Sequence, residues 1–145
     1  GNALQKAQYV FNKYGYNCFA DDTGLEIEAL NGEPGVYSAR YAGESCSYDD
    51  NNKLLLKNMS GVANREARFV TTMCLYRIGK EPVFFEDYLY GEIAHNYKGE
   101  NGFGYDPIFI VKDRGLHLAE ISLSEKNEIS HRGKCLQKLI SFLNQ

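Results

Sequence analysis

The sequence predicts a mixed α/β protein, and three observations carry that prediction. Apolar residues at Ala3, Leu4, Ala7, Val10, Phe11 and Tyr14 repeat with the period of an amphipathic helix. Residues 67–78 and 83–94 are dense in β-branched and aromatic side chains and flank the turn Gly79-Lys80-Glu81-Pro82, the pattern of a long antiparallel hairpin. Cys135, Leu136, Leu139, Ile140 and Leu143 mark one face of a closing helix.

In chain order, the first helix is expected from Asn2 to Tyr14 and is stopped by Gly15. Lys6 lies beside its apolar stripe, where a lysine ordinarily snorkels to solvent. A strand follows over 16–20, and the motif Asp21-Asp22-Thr23-Gly24 is expected to form a loop after it. Two readings of that loop stand side by side. Asp, Thr and Gly are ordinary turn formers, and carboxylates at a strand end are also placed to hold a hard cation such as Mg²⁺. The alternation over 25–30 reads as a second strand ended by Asn31-Gly32, and 33–44 reads as an ordered, aromatic-rich covering loop. Within it Arg40 is free to meet an anion or a local carboxylate.

Ser47 should cap a helix over 47–59 with Asp49 and Asp50 in its first turn. Beyond the hairpin, Gly99 to Asp106 interleaves glycines with Phe103 and Tyr105 and closes on an acid. That pattern suits a planar heterocycle, and it equally suits a glycine-rich turn feeding a strand over 107–111. Lys126, His131 and Arg132 precede the last helix, with Ser130 as its cap, and form either an anion site or an exposed basic turn.

The 145 residues, 43% hydrophobic and 24% charged, have the composition of one globular domain, 1–145. A net charge of −3 gives no global basic field for a nucleic-acid backbone, and no apolar run approaches a membrane span. Cys18, Cys46, Cys74 and Cys135 lack metal-ligand spacing and read as free thiols. The expectation is a soluble, cytoplasmic protein without nucleic-acid or membrane partners.

Three stretches point further: Ala20-Asp21-Asp22-Thr23-Gly24-Leu25 continuing to Gly35-Val36-Tyr37-Ser38-Ala39-Arg40-Tyr41-Ala42-Gly43, then Gly102-Phe103-Gly104-Tyr105-Asp106-Pro107-Ile108-Phe109, then Ile129-Ser130-His131-Arg132-Gly133. In this order they resemble the inosine/xanthosine triphosphate pyrophosphatase family, and Asn2-Ala3 with Lys6-Ala7 is similar to that family's Asn-Ala-x-x-Lys-Ala helix. The resemblance implies an elongated mixed sheet with flanking helices, a homodimer, and Mg²⁺-dependent cleavage of ITP, dITP or XTP to the monophosphate and pyrophosphate. It implies that Asp22 is the catalytic acid and metal-linked carboxylate, and that Thr23 contacts substrate. Phe103, Gly104, Tyr105 and Asp106 would line the base site, Lys126, His131 and Arg132 would supply further base or nucleotide contacts, and Lys6 would face the phosphates.

Physical reasoning adds to this. Neighbouring strand residues point to opposite faces, so Asp21 and Asp22 reach one cleft only if the strand has ended; Asp22 is favoured as the working group. Phe103 would stack on the purine, and donors from Lys126, His131 or Arg132 would accept a 6-keto oxygen while being left unpaired by the adenine amino group.

The family's opening strand and its Ser/Thr-x-Asn-x-x-Lys phosphate loop should precede Asn2, and the sequence begins after them. The expectations are an N-terminally truncated domain of impaired activity and an open sheet edge prone to swapped or non-native association. A second departure is Gly115-Leu116-His117-Leu118-Ala119-Glu120, where the family usually has Lys-Thr before a similar Ala-Glu. The competing functional reading is a purine-nucleotide-binding protein that does not hydrolyse its ligand.

Overall fold

A computed structural model describes residues 2–15, 17–100 and 102–144, including all their side chains except those of Asn2, Asn127, His131 and Arg132. Helix α1 (Asn2–Tyr14) forms where its apolar stripe predicts, and Gly15 ends it at φ 71° with its N–H on the Phe11 carbonyl at 2.7 Å.

Strand β1 (Cys18–Ile27) departs from expectation, because it runs unbroken through Asp21-Asp22-Thr23-Gly24 where a loop was predicted. Across the sheet, β3 (Glu66–Tyr76) pairs with every one of these residues, with Asp22 opposite Thr72, Thr23 opposite Thr71 and Gly24 opposite Val70. Gly24 is there for close approach rather than for turning: a Cβ at that position would sit 2.7 Å from the Gly35 carbonyl oxygen. That oxygen belongs to β2 (Pro34–Gly35), a two-residue strand pairing with β1 at Leu25 and Glu26.

Helix α2 (Tyr48–Asn58) begins at the expected Ser47 cap, which joins Asp50 in a reciprocal capping box. The hairpin is β3 with β4 (Val83–Ile93), and β5 (Phe109–Val111) pairs with the end of β4. The sheet order is β2-β1-β3-β4-β5 and every pairing in it is antiparallel. Pro107 and Ile108 lie in a short 3₁₀ turn rather than in the strand expected over 107–111. Two helices close the described chain, α3 (Leu123–Ile129) and α4 (His131–Leu143).

Strand alternation distributes the core over both faces of the sheet. On one face Leu25, Ile27, Phe69 and Leu89 pack with Leu55, Met59, Ile108, Phe109, Leu118 and Ile121. Farther along that face Met73 and Leu75 meet Cys135 and Leu139 of α4. The opposite face, at Cys18, Ala20, Cys74 and Tyr76, is covered by Ala3 and Ala7 of α1. The two terminal helices therefore clamp the same end of the sheet from opposite sides. All four cysteines are free, and among the described residues no helix is long and apolar enough to cross a membrane.

Candidate active site

Because β1 continues through the acidic motif, Asp22 and Thr23 project to opposite faces. Asp22 shares its face with Ala20 and Cys18, under α1, and its Oδ1 lies 3.8 Å from Lys6 Nζ. Lys6 also donates to the Asp21 carbonyl at 2.8 Å, so the helix delivers a cation to the acidic stretch of the strand. The two side chains are 57% and 33% exposed, leaving both accessible to a ligand. Thr23 points the other way, with its hydroxyl 2.9 Å from that of Thr71.

The glycine-rich segment forms a second centre. Asp106 is buried, accepts the Phe103 N–H at 3.1 Å, and is ion-paired and hydrogen-bonded to Lys126. Gly102, at φ 101°, is required twice over: its backbone is left-handed, and a Cβ would collide with both the Asp106 carboxylate and the Lys126 ammonium. The Phe103 ring stands exposed, with Lys126 Nζ 5.5 Å from its centroid and the Tyr48 ring 6.2 Å away at 40°. An exposed aromatic face beside a cation is suited to a planar, electron-rich ligand.

Buried polar groups hold this segment in place. Tyr105 donates its hydroxyl to the Ser38 carbonyl at 2.6 Å, and burial pushes the phenol well above its ordinary pKa, so it stays protonated as a donor. Ser38 Oγ accepts the Leu25 N–H at 2.9 Å. Asn52 of α2 donates to the Gly104 carbonyl at 2.9 Å, and His117 Nδ1 donates to the Pro107 carbonyl at 2.7 Å. Asn51 organises the neighbouring loop, accepting from Ala42 N at 2.8 Å and donating to the Ala39 carbonyl at 3.1 Å.

Among the sequence-predicted residues, the structure brings Lys6 to Asp22, and it brings Phe103, Asp106 and Lys126 together around Gly102 and Gly104. Tyr105 lines the buried side of that segment and faces Ser38. Lys126 does not precede the last helix in an open turn, as expected, but sits inside α3. His131 and Arg132 occupy the first turn of α4, whose cap is Ser130 accepting from Gly133 N at 2.9 Å; their side chains lie outside the described residues. Arg40 lies over the Tyr37 ring, 5.7 Å from its centroid. Sequence reasoning missed Asn51, Asn52 and Tyr48, all assigned to a merely structural helix; consecutive Asn residues in a helix, where Asn is a poor former, were the available signal. Two grooves, of about 380 and 230 Å³, lie around Glu66 and Tyr90 and share no residue with this site.

Residues 1–142 match the Ham1 family. The dITP/XTP pyrophosphatase of Flavobacterium johnsoniae is 54% identical over 143 residues, covering 99% of this chain and 74% of that protein. The dITP/XTP pyrophosphatase of Porphyromonas gingivalis is 49% identical over 145 residues, again covering 99% and 74%. The structure of the Staphylococcus aureus Ham1 protein superposes with a TM-score of 0.95 at 42% identity, covering 99% of this chain and 74% of that one. A HAM1 protein from Coxiella burnetii gives a TM-score of 0.95 at 38% identity, covering 99% and 75%. A sequence match across nearly the whole chain, joined to a shared fold, shows that this chain belongs to the Ham1 family.

Proposed function

We propose that this chain hydrolyses non-canonical purine nucleoside triphosphates, ITP, dITP and XTP, to the nucleoside monophosphate and pyrophosphate. The observation that carries the reading is an exposed Phe103 ring beside a Lys126 held by buried Asp106. The names of the relatives support the same substrate class. Water attacks the α-phosphorus, the α–β bridging P–O bond breaks, and pyrophosphate leaves with the bonding electrons. Asp22 orients that water or takes its proton, and Lys6 offsets charge on the phosphates. Phe103 stacks on the purine and Lys126 donates to its 6-keto oxygen, a donor that the adenine amino group cannot satisfy.

A divalent cation belongs to this reading, with Mg²⁺ the one favoured. Among the described residues no group of three or more His, Cys, Asp or Glu is arranged to hold a metal unaided. Asp22 offers a single accessible carboxylate, which fits an ion bound through one or two carboxylates and substrate phosphates. When bound, the ion supplies Lewis-acid stabilisation of phosphate charge. We further read the chain as one catalytic domain, 1–145, of a homodimer on the strength of the family resemblance, and as a cytoplasmic protein that binds neither nucleic acid nor membrane on the strength of its net charge of −3 and the lack of a long apolar run.

Pyrophosphate release and calorimetric binding test the proposal together. The expected result is release from ITP favoured over ATP by on the order of 100-fold. Equal turnover of the two refutes it. Tight binding of inosine monophosphate with no turnover of any triphosphate transfers the chain to the class of nucleotide binders.

A further inference from the structure

Resting on the proposed function, we infer that Ser38 is a positioning residue that couples the base corner to the phosphate corner. Ser38 bridges them with both its side chain and its main chain. Ser38 Oγ accepts from Leu25 N at 2.9 Å and donates to the Gly35 carbonyl at 2.6 Å, which fixes it to β1 three residues past Asp22. Its main-chain carbonyl accepts the Tyr105 hydroxyl at 2.6 Å, next in sequence to the Asp106 that holds Lys126.

The geometry is economical in polar groups. Strand β2 pairs with β1 only at Leu25 and Glu26. The Leu25 N–H is taken by a hydroxyl, and a displacement of the glycine-rich segment is transmitted through Tyr105 to that hydroxyl's residue. Ser38 is 8% exposed and Tyr105 6%, so water does not substitute for either bond. The loop carrying Ser38 is itself held by Asn51 at Ala39 and Ala42, so the tether has a fixed anchor. The register of the base-binding segment against β1 is therefore held through Ser38, and a base that displaces the segment shifts the phosphates relative to the strand that carries Asp22.

The test uses Tyr105→Phe, Ser38→Ala and the double variant, each assayed for kcat and KM on ITP and ATP and for calorimetric affinity toward inosine and adenosine monophosphates. Tyr105→Phe cuts the tether on the base side and Ser38→Ala on the strand side. Each single variant is expected to lower the ITP-over-ATP ratio of kcat/KM by on the order of tenfold, mostly through kcat, and the double variant no further. Loss of thermal stability with an unchanged ITP-over-ATP ratio overturns the inference, as do additive losses in the double variant. A wild-type chain that shows no inosine preference in turnover or binding fails the functional reading itself, which separates the two failures.

Discussion

Asp22 and Thr23 are neighbours in sequence and lie on opposite faces of the sheet, Asp22 with its Oδ1 3.8 Å from Lys6 Nζ and Thr23 with its hydroxyl 2.9 Å from that of Thr71. Their substitutions should separate accordingly. Asp22→Asn is expected to lower pyrophosphate release by about 100-fold or more while changing stability by less than about 1 kcal/mol, since its ion pair is solvent-accessible. Thr23→Val leaves the buried Thr71 hydroxyl without that partner and is expected to cost about 1–3 kcal/mol in urea denaturation. An Asp22→Asn chain with wild-type turnover removes Asp22 from the mechanism.

The ion pair of Asp106 with Lys126 is the second point of leverage. Lys126→Met leaves a buried carboxylate without its cation, and breaking such a pair costs about 3–5 kcal/mol. Gly102→Ala should act in the same direction, because the added methyl strikes both partners. Thermal melts measure the first loss, and calorimetry with inosine monophosphate should show that affinity falls in both variants.

Asn51 and Asn52 are adjacent, equally buried and unequal in use. Asn51 spends its oxygen and its nitrogen on Ala42, Cys46 and Ala39, whereas among the described residues the Asn52 oxygen has no partner and only its nitrogen is engaged. Asn51→Leu should therefore cost about 1–3 kcal/mol and loosen the loop at 39–43 in hydrogen exchange. Asn52→Leu removes an unsatisfied acceptor along with one bond and should be the milder change by chemical denaturation.

Acid should weaken the attachment of α4 to β4. Burial raises the pKa of Asp87, but the Tyr88 N–H and the ammonium groups of Lys138 and Lys134, at 3.0 and 3.3 Å, outweigh it and hold the carboxyl below its ordinary value. A depressed carboxyl contributes stability that is fully present above its unfolded pKa, near pH 4, and is lost as pH falls through the lower folded value. Asp87→Asn should remove that part of the acid dependence. Denaturation midpoints compared between pH 6 and pH 3 for the two chains would show it, and an identical acid slope in both would discount Asp87.

Local signals carried α1, the Ser47 cap of α2, the β3–β4 hairpin and Ser130 into view, because periodicity and capping are written in consecutive residues. The continuity of β1 was hidden, since the reason for Gly24 is a carbonyl on β2 and not a turn within its own strand. Helix α3 was missed although Ser122 and Glu125 show the spacing of a capped start. Leu123 is 70% exposed, so its apolar pattern was too thin to register. At the site, the meeting of Lys6 with Asp22 and of Phe103 with Lys126 was legible through motif order. The tether through Ser38, and the burial of Asn51 and Asn52, depend on which loops α2 packs against, and no local pattern encodes that.

The unbroken pairing of β1 with β3 makes parity a constraint on this stretch of gene. Unless a β-bulge absorbs it, a one-residue insertion between Ala20 and Asp22 would exchange the two faces over the remaining strand, placing Asp22 where Thr23 meets Thr71 and carrying Leu25 and Ile27 out of the core. Without a bulge, a length change here preserves the two faces only in steps of two, so a substitution alters the chemistry of these positions with far less disturbance than an insertion.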